Sequence, residues 1–562
     1  MTRTESYTKI VGYEHRKKYA QFFTPSAIAK FMVEWVAKGS SSKSVFDPAF
    51  GLGAFFENAP KGCEFTGCDI DSKIIEYFKQ NAERKPDKIE CADYLLSFGE
   101  RRSGIVCNPP YLRFQKFMNR SAVFSAFNDW LGVRLSGYTN IASAFLVKSI
   151  SELTSDGRLA YILPSEFLNA GYGELVKQWL VRGSHLDSII EVACEKDAFE
   201  EVITSVCIVL YDAARKIDAV SFRKVESMDD FSSVLRRDPI SKVKALQLDA
   251  KAKWGVYFTR ESERAVPNRE LLQPLSAYGH FSRGIATGAN EFFVLSKGDK
   301  ERLGLSDETC VPCVTKSCQL TKRTFSESDL SKLIERDNPV YLFSPGEDPD
   351  VASLNYIHEG ERRGYHDRFI TRHRKPWYKT ESREIAPLLL NVFSRTGYKI
   401  VRNYSSALSL TNFHCFYPNG FGRKYVDWLF LYLDSGIGRR IVSLSKRKYG
   451  NALDKFEPND LNAALVPKRE FFDSIGEIQE RELMNAVKSG EDVAERLDEI
   501  FEPLLSEVGE PTGTTEMSLC FPDDLKPVQM LLAVERKKAK TTARQRAKGL
   551  KGARIVAKRK RK

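Results

Sequence analysis

Short apolar runs alternate with helix-spaced apolar positions through the first 240 residues. "SVFDPAF" (44–50) and "EFTGCDID" (64–71) each read as a buried strand running into a polar turn. "IIEYFKQNA" (74–82) repeats its apolar residues at three- and four-residue steps, the spacing of one helix face. "SGIVCNPPY" (103–111) holds a further strand, and "IASAFLVKSISEL" (141–153) reads as an amphipathic helix ending near Gly157. "RLAYILP" (158–164), "LDSIIEVA" (186–193) and "SVCIVLYDA" (205–213) are more buried strands. Strands alternating with helices predict an α/β fold, a doubly wound and mostly parallel sheet. Such sheets bind ligands at the carboxyl ends of their strands, and each polar motif below directly follows a strand.

After residue 240 the pattern changes. "FSRGIATGANEFFVLSKGDK" (281–300), "RHRKPWYKT" (372–380) and "SRTGYKIVRNYSSALSLTNFHCFYPNG" (394–420) are rich in Tyr, Arg, Asn, Ser and Gly and lack strand–helix alternation. A first domain over 1–240 is therefore expected, then an irregular α+β domain over 241–525 whose end, "GEIQERELMNAVKSGEDVAERLDEIFEPLL" (476–505), is helical. No repeats interrupt either part. Residues 526–562 form a basic tail, expected to be disordered. From Glu535 onward it carries 14 Lys or Arg and that single acid, against a whole-chain charge of +12, so the rest of the chain is close to neutral. Such arms bind polyanions by counterion release, although a solvated extension has the same composition.

No apolar run approaches the roughly 18 residues of a membrane span, and the first residues lack the apolar core of a signal peptide. A cytoplasmic protein is expected, and its 11 cysteines are read as free thiols. "CVPCVTKSC" (310–318) has the opening spacing of a zinc site but lacks a second close ligand pair; the next candidates, His414 and Cys415, lie far downstream. Three partly buried thiols are the better reading, and no metal is expected.

"FDPAFGLGAFFENA" (46–59) places Asp47 at a strand end, followed by Gly51 and Gly53 and then a helix. Glycines there let the backbone turn sharply and approach a ligand closely, although a lone G-x-G is weak. Asp69 ends the next strand, 18 residues after Gly51, where an acid can accept both hydroxyls of a ribose. Asp93, in "CADYLL" (91–96), follows a third short strand. A phosphate-binding loop would want Lys or an acid-free helix start. This loop carries Asp47 and no Lys, which favours a cationic, phosphate-free nucleoside such as S-adenosylmethionine. Asn108-Pro109-Pro110-Tyr111 taken alone is a turn, because Pro cannot continue a sheet ladder.

In this order the pieces resemble a class I S-adenosylmethionine-dependent methyltransferase with a Rossmann-like sheet. More narrowly, they resemble the gamma group of amino-methylating DNA methyltransferases, the Taq-type adenine-N6 enzymes of type II restriction–modification systems. "QFFTPSAIAKFMVEW" (21–35), "DPAFGLGAF" (47–55), "GCDID" (67–71), "ADYLL" (92–96), "NPPY" (108–111), "GRLAYILPSEFLNAGYG" (157–173) and "AFEEVITSVCIVLY" (198–211) carry the resemblance. It departs at Phe50 and Leu52, where the family often has Cys and Ser. The resemblance implies that Thr24 and Asp47 hold the methionine end of the cofactor and that Asp69 takes the ribose. Asp93 would take the adenine amine, with Ala49, Gly51 and Gly53 beneath.

An exocyclic amine is a poor nucleophile because its lone pair is delocalised into the ring. Two acceptors on its N–H bonds, the Asn108 side-chain oxygen and the Pro109 carbonyl, would turn that lone pair towards the methyl donor and stabilise the developing positive charge. Asn108 thereby also borders the cofactor, and Pro110 helps to hold the backbone rigid. The target base must be flipped out of the duplex, at a cost of a few kcal/mol. Tyr111 and, by resemblance, Phe199 would stack on it; Phe199 also reads as a core residue.

Asn-Pro-Pro-Tyr occurs as well in enzymes that methylate a protein glutamine, and related tetrapeptides in ribosomal RNA and cytosine-N4 enzymes. The large second domain favours DNA, and Asn at the first position tilts the reading to adenine. Arg372, Arg374, Lys375, Trp377, Lys446, Arg447 and Lys448 are candidate DNA contacts, equally readable as surface charge. The stretch between Gly53 and Asn108 is too short for a recognition domain, and only the first 20 residues precede the first motif, unlike type I modification subunits. No terminal segment has the length of a fused nuclease. The resemblance implies double-stranded DNA as partner, a cognate restriction endonuclease as counterpart, and a monomer in a bacterial or archaeal cell, nucleoid-associated and without membrane contact.

Overall fold

The computed structural model describes residues 3–39, 43–112, 114–117, 119–135, 137, 139–194, 205–260, 267–394, 397–444, 447–449 and 453–505. Phe199, Lys446 and the basic tail lie outside the described residues. The chain divides into two units, Met1–Phe117 with Gly137–Val508, and Met118–Ser136 with Gly509–Lys562.

In the first unit the elements run α1 (Arg3–Tyr19), α2 (Ser26–Gly39), β1 (Ser44–Asp47), α3 (Ala54–Glu57), β2 (Glu64–Asp69), α4 (Ser72–Asn81), β3 (Lys88–Cys91) and β4 (Arg102–Cys107). The second unit contributes α5 (Arg120–Leu131), a helix that ends on Gly132 in the left-handed region (φ 66). The first unit resumes with α6 (Ile141–Glu152), β5 (Leu153–Pro164), α7 (Gly173–Val181), β6 (Leu186–Val192), β7 (Val206–Asp212), β8 (Ala219–Val225) and β9 (Ser241–Lys244).

The nine strands form one sheet in the order β3-β2-β1-β4-β5-β7-β6-β8-β9. The first five are mutually parallel, and β7 runs antiparallel between β5 and β6. The chain winds outward from β1 through β2 to β3, then returns to place β4 on the other side of β1. That reversal opens a crevice at the carboxyl ends of β1 and β4, where open α/β sheets take their ligands. Ile28, Met32, Val33 and Val36 of α2 pack with Val45, Phe65, Val106 and Ile162 of the sheet in one core.

Two expectations change here. Helix α6 is not amphipathic: ten of its residues are buried, Lys148 among them. Lys148 is admitted because Glu152, one turn on, accepts its ammonium at 2.5 Å. The helix also ends at Glu152, where β5 begins, rather than near Gly157. The sheet extends past residue 240, since β9 pairs with β8, and Trp254, Tyr257 and Phe258 lay their rings on Phe222 of β8.

Beyond that point, five strands pair in the order Gly279–Arg283, Phe413–Pro418, Leu388–Asn391, Ile400–Asn403 and Thr324–Phe325, and four more form a smaller sheet that includes Cys310–Val314. Helices Val426–Asp434, Glu477–Ser489 and Ala494–Phe501 share a core around Trp428, Tyr432, Phe472 and Phe501. Cys310 and Cys313 are buried and Cys318 is exposed, so the three thiols do not share one environment. His414 is buried with Nε2 against the Phe456 carbonyl. Lys253, bonded to Asp460 at 2.9 Å, ties the linker after the nine-stranded sheet to this second set of elements.

Candidate active site

The strand ends deliver four polar side chains to the crevice. Asp47 is the last residue of β1, Asp69 the last of β2, Asp93 follows β3 and Asn108 follows β4. Two adjoining pockets form there. One includes Gln21, Asp69, Asp93, Tyr94, Asn108 and Pro110 in its wall; the other includes Thr24, Asp47, Leu52 and Asn108. Ala49 and Gly51 border both.

Gly51 and Gly53 take positive φ values, 55° and 79°. A side chain on Gly53 would lie 2.6 Å from the Phe78 ring, so the turn requires glycine sterically as well as conformationally. The turn aims the Gly51 N–H at Asp69 Oδ2 (2.9 Å), while Asp69 Oδ1 accepts from the Asp71 N–H (3.0 Å). Burial nevertheless dominates and pushes the Asp69 carboxyl up to about 6. Asp47 is more deeply enclosed. Its Oδ1 accepts from the Ala49 N–H at 3.0 Å, and its Oδ2 has no partner among the described residues. Burial lifts this carboxyl well above the usual range, with the charge of Asp69 adding to the effect. A buried, half-satisfied carboxylate in a pocket wall calls for a ligand that donates hydrogen bonds and carries positive charge. Asp93 Oδ1 caps the turn Tyr94–Leu96 by accepting from the Leu95 N–H at 3.1 Å.

Asn108 is held from both ends. Its Nδ2 donates to the Phe22 carbonyl (3.2 Å) and to Thr24 Oγ1 (3.1 Å), and its Oδ1 accepts from the Tyr111 hydroxyl (2.9 Å). The Phe22 carbonyl decides this orientation. Both hydroxyls could serve a flipped amide, but a backbone carbonyl only accepts, so nitrogen must face it and oxygen must face Tyr111. Pro109 is buried and Pro110 half-buried beside it. The Tyr111 ring runs nearly parallel to Phe22, with centroids 6.2 Å apart at 24°. Burial raises the Tyr111 phenol well above its usual range, so it stays a hydrogen-bond donor.

Two supports of this site were not legible in the motifs. Asp71 Oδ2 accepts from His15 Nε2 (2.7 Å), Gln21 Nε2 (2.7 Å) and the Tyr7 hydroxyl (3.2 Å), binding α1 and the stretch after it to the end of β2. That stretch contributes Phe22, which orients Asn108. The only available signal was the second acid of "GCDID". Below Tyr94, the Lys148–Glu152 pair is completed by the Tyr94 hydroxyl, which donates to Glu152 Oε2 at 2.9 Å.

The candidate DNA contacts separate into two kinds. Arg372 and Lys375 are exposed. Arg374 is turned inward, donating to the backbone carbonyls of Ala286 and Thr287. Trp377 packs 5.0 Å from the Phe292 ring and donates its indole N–H to Glu361 at 3.0 Å. These contacts make both side chains part of what holds the loop they sit on. Arg447 and Lys448 lie on the strand Arg447–Tyr449, with side chains outside the described residues.

Comparison with known proteins resolves the class. Residues 69–199 match the Eco57I restriction-modification methylase family, and residues 251–504 match the C-terminal domain of type II methyltransferase M.Eco57I. Type II methyltransferase M.AccI of Acinetobacter calcoaceticus is 34% identical over 481 residues, which is 82% of this chain and 87% of the relative. The chain belongs to the type II restriction–modification methyltransferases. M.XamI of Xanthomonas campestris pv. amaranthicola is a more distant member, 21% identical over 80% of this chain and 85% of its own length. Among solved structures, the type IIL restriction-modification enzyme MmeI, determined in complex with DNA, matches with a TM-score of 0.54 at 12% identity, over 96% of this chain and 78% of that one. That likeness is one of fold. The two matches fall on successive parts of the chain, the first within the nine-stranded sheet and the second beyond its last strand. Among the described residues, no helix is long and apolar enough to cross a membrane.

Proposed function

We propose that this methyltransferase transfers a methyl group from S-adenosylmethionine to the exocyclic N6 amine of an adenine flipped out of a short duplex site, protecting that site from a cognate restriction endonuclease. The observation that carries the reading is the side-chain amide of Asn108. Its nitrogen is committed to Phe22 and Thr24, which leaves its oxygen as an acceptor in the crevice wall.

The pocket residues fit the cofactor. The unpartnered Oδ2 of Asp47 suits the ammonium of the methionine end, Asp69 suits a ribose diol, and Asp93, bordering the same pocket, suits an adenine amine. Ala49, Gly51 and Gly53 form the close-approach turn. When bound, S-adenosylmethionine supplies an electrophilic methyl group on a sulfonium. The remaining work belongs to the chain. The Tyr111 hydroxyl gives up Asn108 Oδ1, and one N–H of the incoming amine takes its place; the Pro109 carbonyl accepts the other. Both acceptors favour the lone-pair geometry that would attack the methyl carbon as its bond to sulfur breaks, leaving a neutral thioether, and would stabilise the positive charge on nitrogen until its surplus proton leaves to water. Tyr111 offers its ring to the flipped base, and Phe199 is assigned the second face. A stacked base returns about 1–3 kcal/mol, so two rings offset the flip better than one. Arg372 and Lys375 of the second part, with the basic tail, supply phosphate contacts, and the enzyme works as a cytoplasmic monomer.

The test is the modified base itself. DNA from cells expressing the protein is digested to nucleosides for mass spectrometry and sequenced for modified positions. N6-methyladenine at one short sequence is the expected result, and N4-methylcytosine in its place overturns the adenine assignment.

A further inference from the structure

The loop that carries Arg372 and Lys375 also carries an outward-facing ring. Phe369 is 74% exposed, one of the most exposed large apolar side chains among the described residues, and Ile370 beside it is 36% exposed. The loop beneath is heavily tied down. Thr371, fully buried, donates its hydroxyl proton to the Tyr365 carbonyl (2.5 Å), with the Arg368 carbonyl 3.2 Å from the same oxygen. Arg368 pairs with Glu291, Arg374 holds the carbonyls of Ala286 and Thr287, and His373 Nδ1 lies 2.6 Å from the Phe369 carbonyl. Gly288, at φ 80°, gives Ile370 its seat: a side chain there would lie 2.6 Å from Ile370 Cβ. A rigid loop that displays a ring to water spends structure on keeping an apolar surface in the open, which marks a contact site.

The charges around the ring select the partner. The Arg372 guanidinium lies 5.5 Å from the Phe369 ring centroid, and Lys375 follows three residues on. No acid pairs with either cation among the described residues; Asp367, exposed and close to His366, is the nearest acid in sequence. An exposed aromatic ring beside unneutralised cations matches a nucleobase with its neighbouring phosphates. A protein partner would offer carboxylates or apolar side chains with no phosphate spacing to match.

We propose that Phe369 stacks on a base of the bound duplex as an aromatic platform, while Arg372 and Lys375 hold neighbouring phosphates. This rests on the reading of the protein as a DNA methyltransferase. The two kinds of contact differ in their response to salt. A phosphate contact releases counterions, about 0.9 of a unit in the slope of log affinity against log salt, whereas a ring on a base releases none.

The experiment measures kcat/KM for methyl transfer to unmethylated plasmid DNA across a salt series. Phe369→Ala is expected to lower it about 5- to 150-fold at every salt concentration with the slope unchanged. Phe369→Trp should retain it to within a few-fold, and Phe369→Leu, which keeps the apolar bulk without the aromatic face, should fall between. Arg372→Ala should lose less at high salt because its slope is reduced. Thermal midpoints should be unmoved, since the ring is exposed. If Phe369→Ala equals wild type, or weakens transfer with a reduced slope, the proposal is overturned while the DNA reading stands. Phe369→Leu at wild-type level, or a lowered thermal midpoint that accounts for the loss, likewise overturns it. A wild-type protein that transfers no methyl group to plasmid DNA overturns both.

Discussion

Thr24→Val removes one hydroxyl and keeps the shape of the side chain. In the structure that hydroxyl is one of two acceptors for Asn108 Nδ2, at 3.1 Å, the other being the Phe22 carbonyl at 3.2 Å. The carbonyl alone still forbids the flipped amide, so the variant should keep the correct orientation but hold it by one bond in place of two. A hydrogen bond of this kind contributes about 0.5–1.5 kcal/mol, which converts to a loss in kcat of about 2- to 12-fold. The assay is methyl incorporation into DNA at saturating cofactor, paired with calorimetric titration of S-adenosylhomocysteine. Thr24→Ser, which restores an acceptor at the same atom, should recover kcat. The reasoning is refuted if kcat is unchanged while cofactor affinity falls, because Thr24 would then serve the methionine end of the cofactor and not the catalytic amide. It is equally refuted if Thr24→Ser behaves like Thr24→Val.

Asn108→Ala should abolish methylation, by at least the roughly 10²–10³-fold seen when one preorganised electrostatic partner is removed, while cofactor affinity stays close to wild type; appreciable residual transfer sinks the role assigned. Cofactor binding should depend on pH through Asp69, whose carboxyl is raised to about 6, with Asp47 raised in the same direction: affinity falls as pH drops through about 6, by at least a factor approaching tenfold per unit if the ionised form alone binds, and a flat profile from pH 5 to 7 contradicts it. The same shift has a consequence for folding. Asp69 holds its proton more tightly folded than unfolded, so its stabilising contribution is complete below the unfolded value and is lost as pH rises through about 6, measurable as a declining urea midpoint of the ligand-free protein. Deleting residues 536–562 should weaken DNA association mainly at low salt and leave the methylated sequence unchanged; a changed sequence in a methylation map would mean the tail reads bases.

The alternation of buried runs and helix-spaced segments, local in character, made β1, β2, β4, β5, β6 and β7 legible, because each strand's apolar content is written in its own residues. The strand-end acids and Asn108 were legible for the same reason: a polar residue at the close of a buried run is conspicuous. Helix α6 was misread because its polar residues, Lys148 and Glu152, neutralise each other inside the core, and a one-dimensional pattern counts a charge as a solvent-facing mark. Arg374 and Trp377 show the same limit of a one-dimensional reading, since composition registers a cation and an indole but not the carbonyls and rings they touch within the fold.

The sequence by itself therefore determined which chemical groups stand at the strand ends and in what order, since short-range backbone preferences and motif spacing suffice for that. Only the tertiary structure decided what those groups can do. The winding of the sheet sets β1 beside β4 and so brings Asp47 and Asn108, 61 residues apart, into one pocket wall. Asp71 anchors the stretch bearing Phe22, and one backbone carbonyl on that stretch settles which end of the Asn108 amide faces the crevice. These are contacts between segments distant in the chain, and their energies depend on burial and direction, which no local pattern of residues encodes.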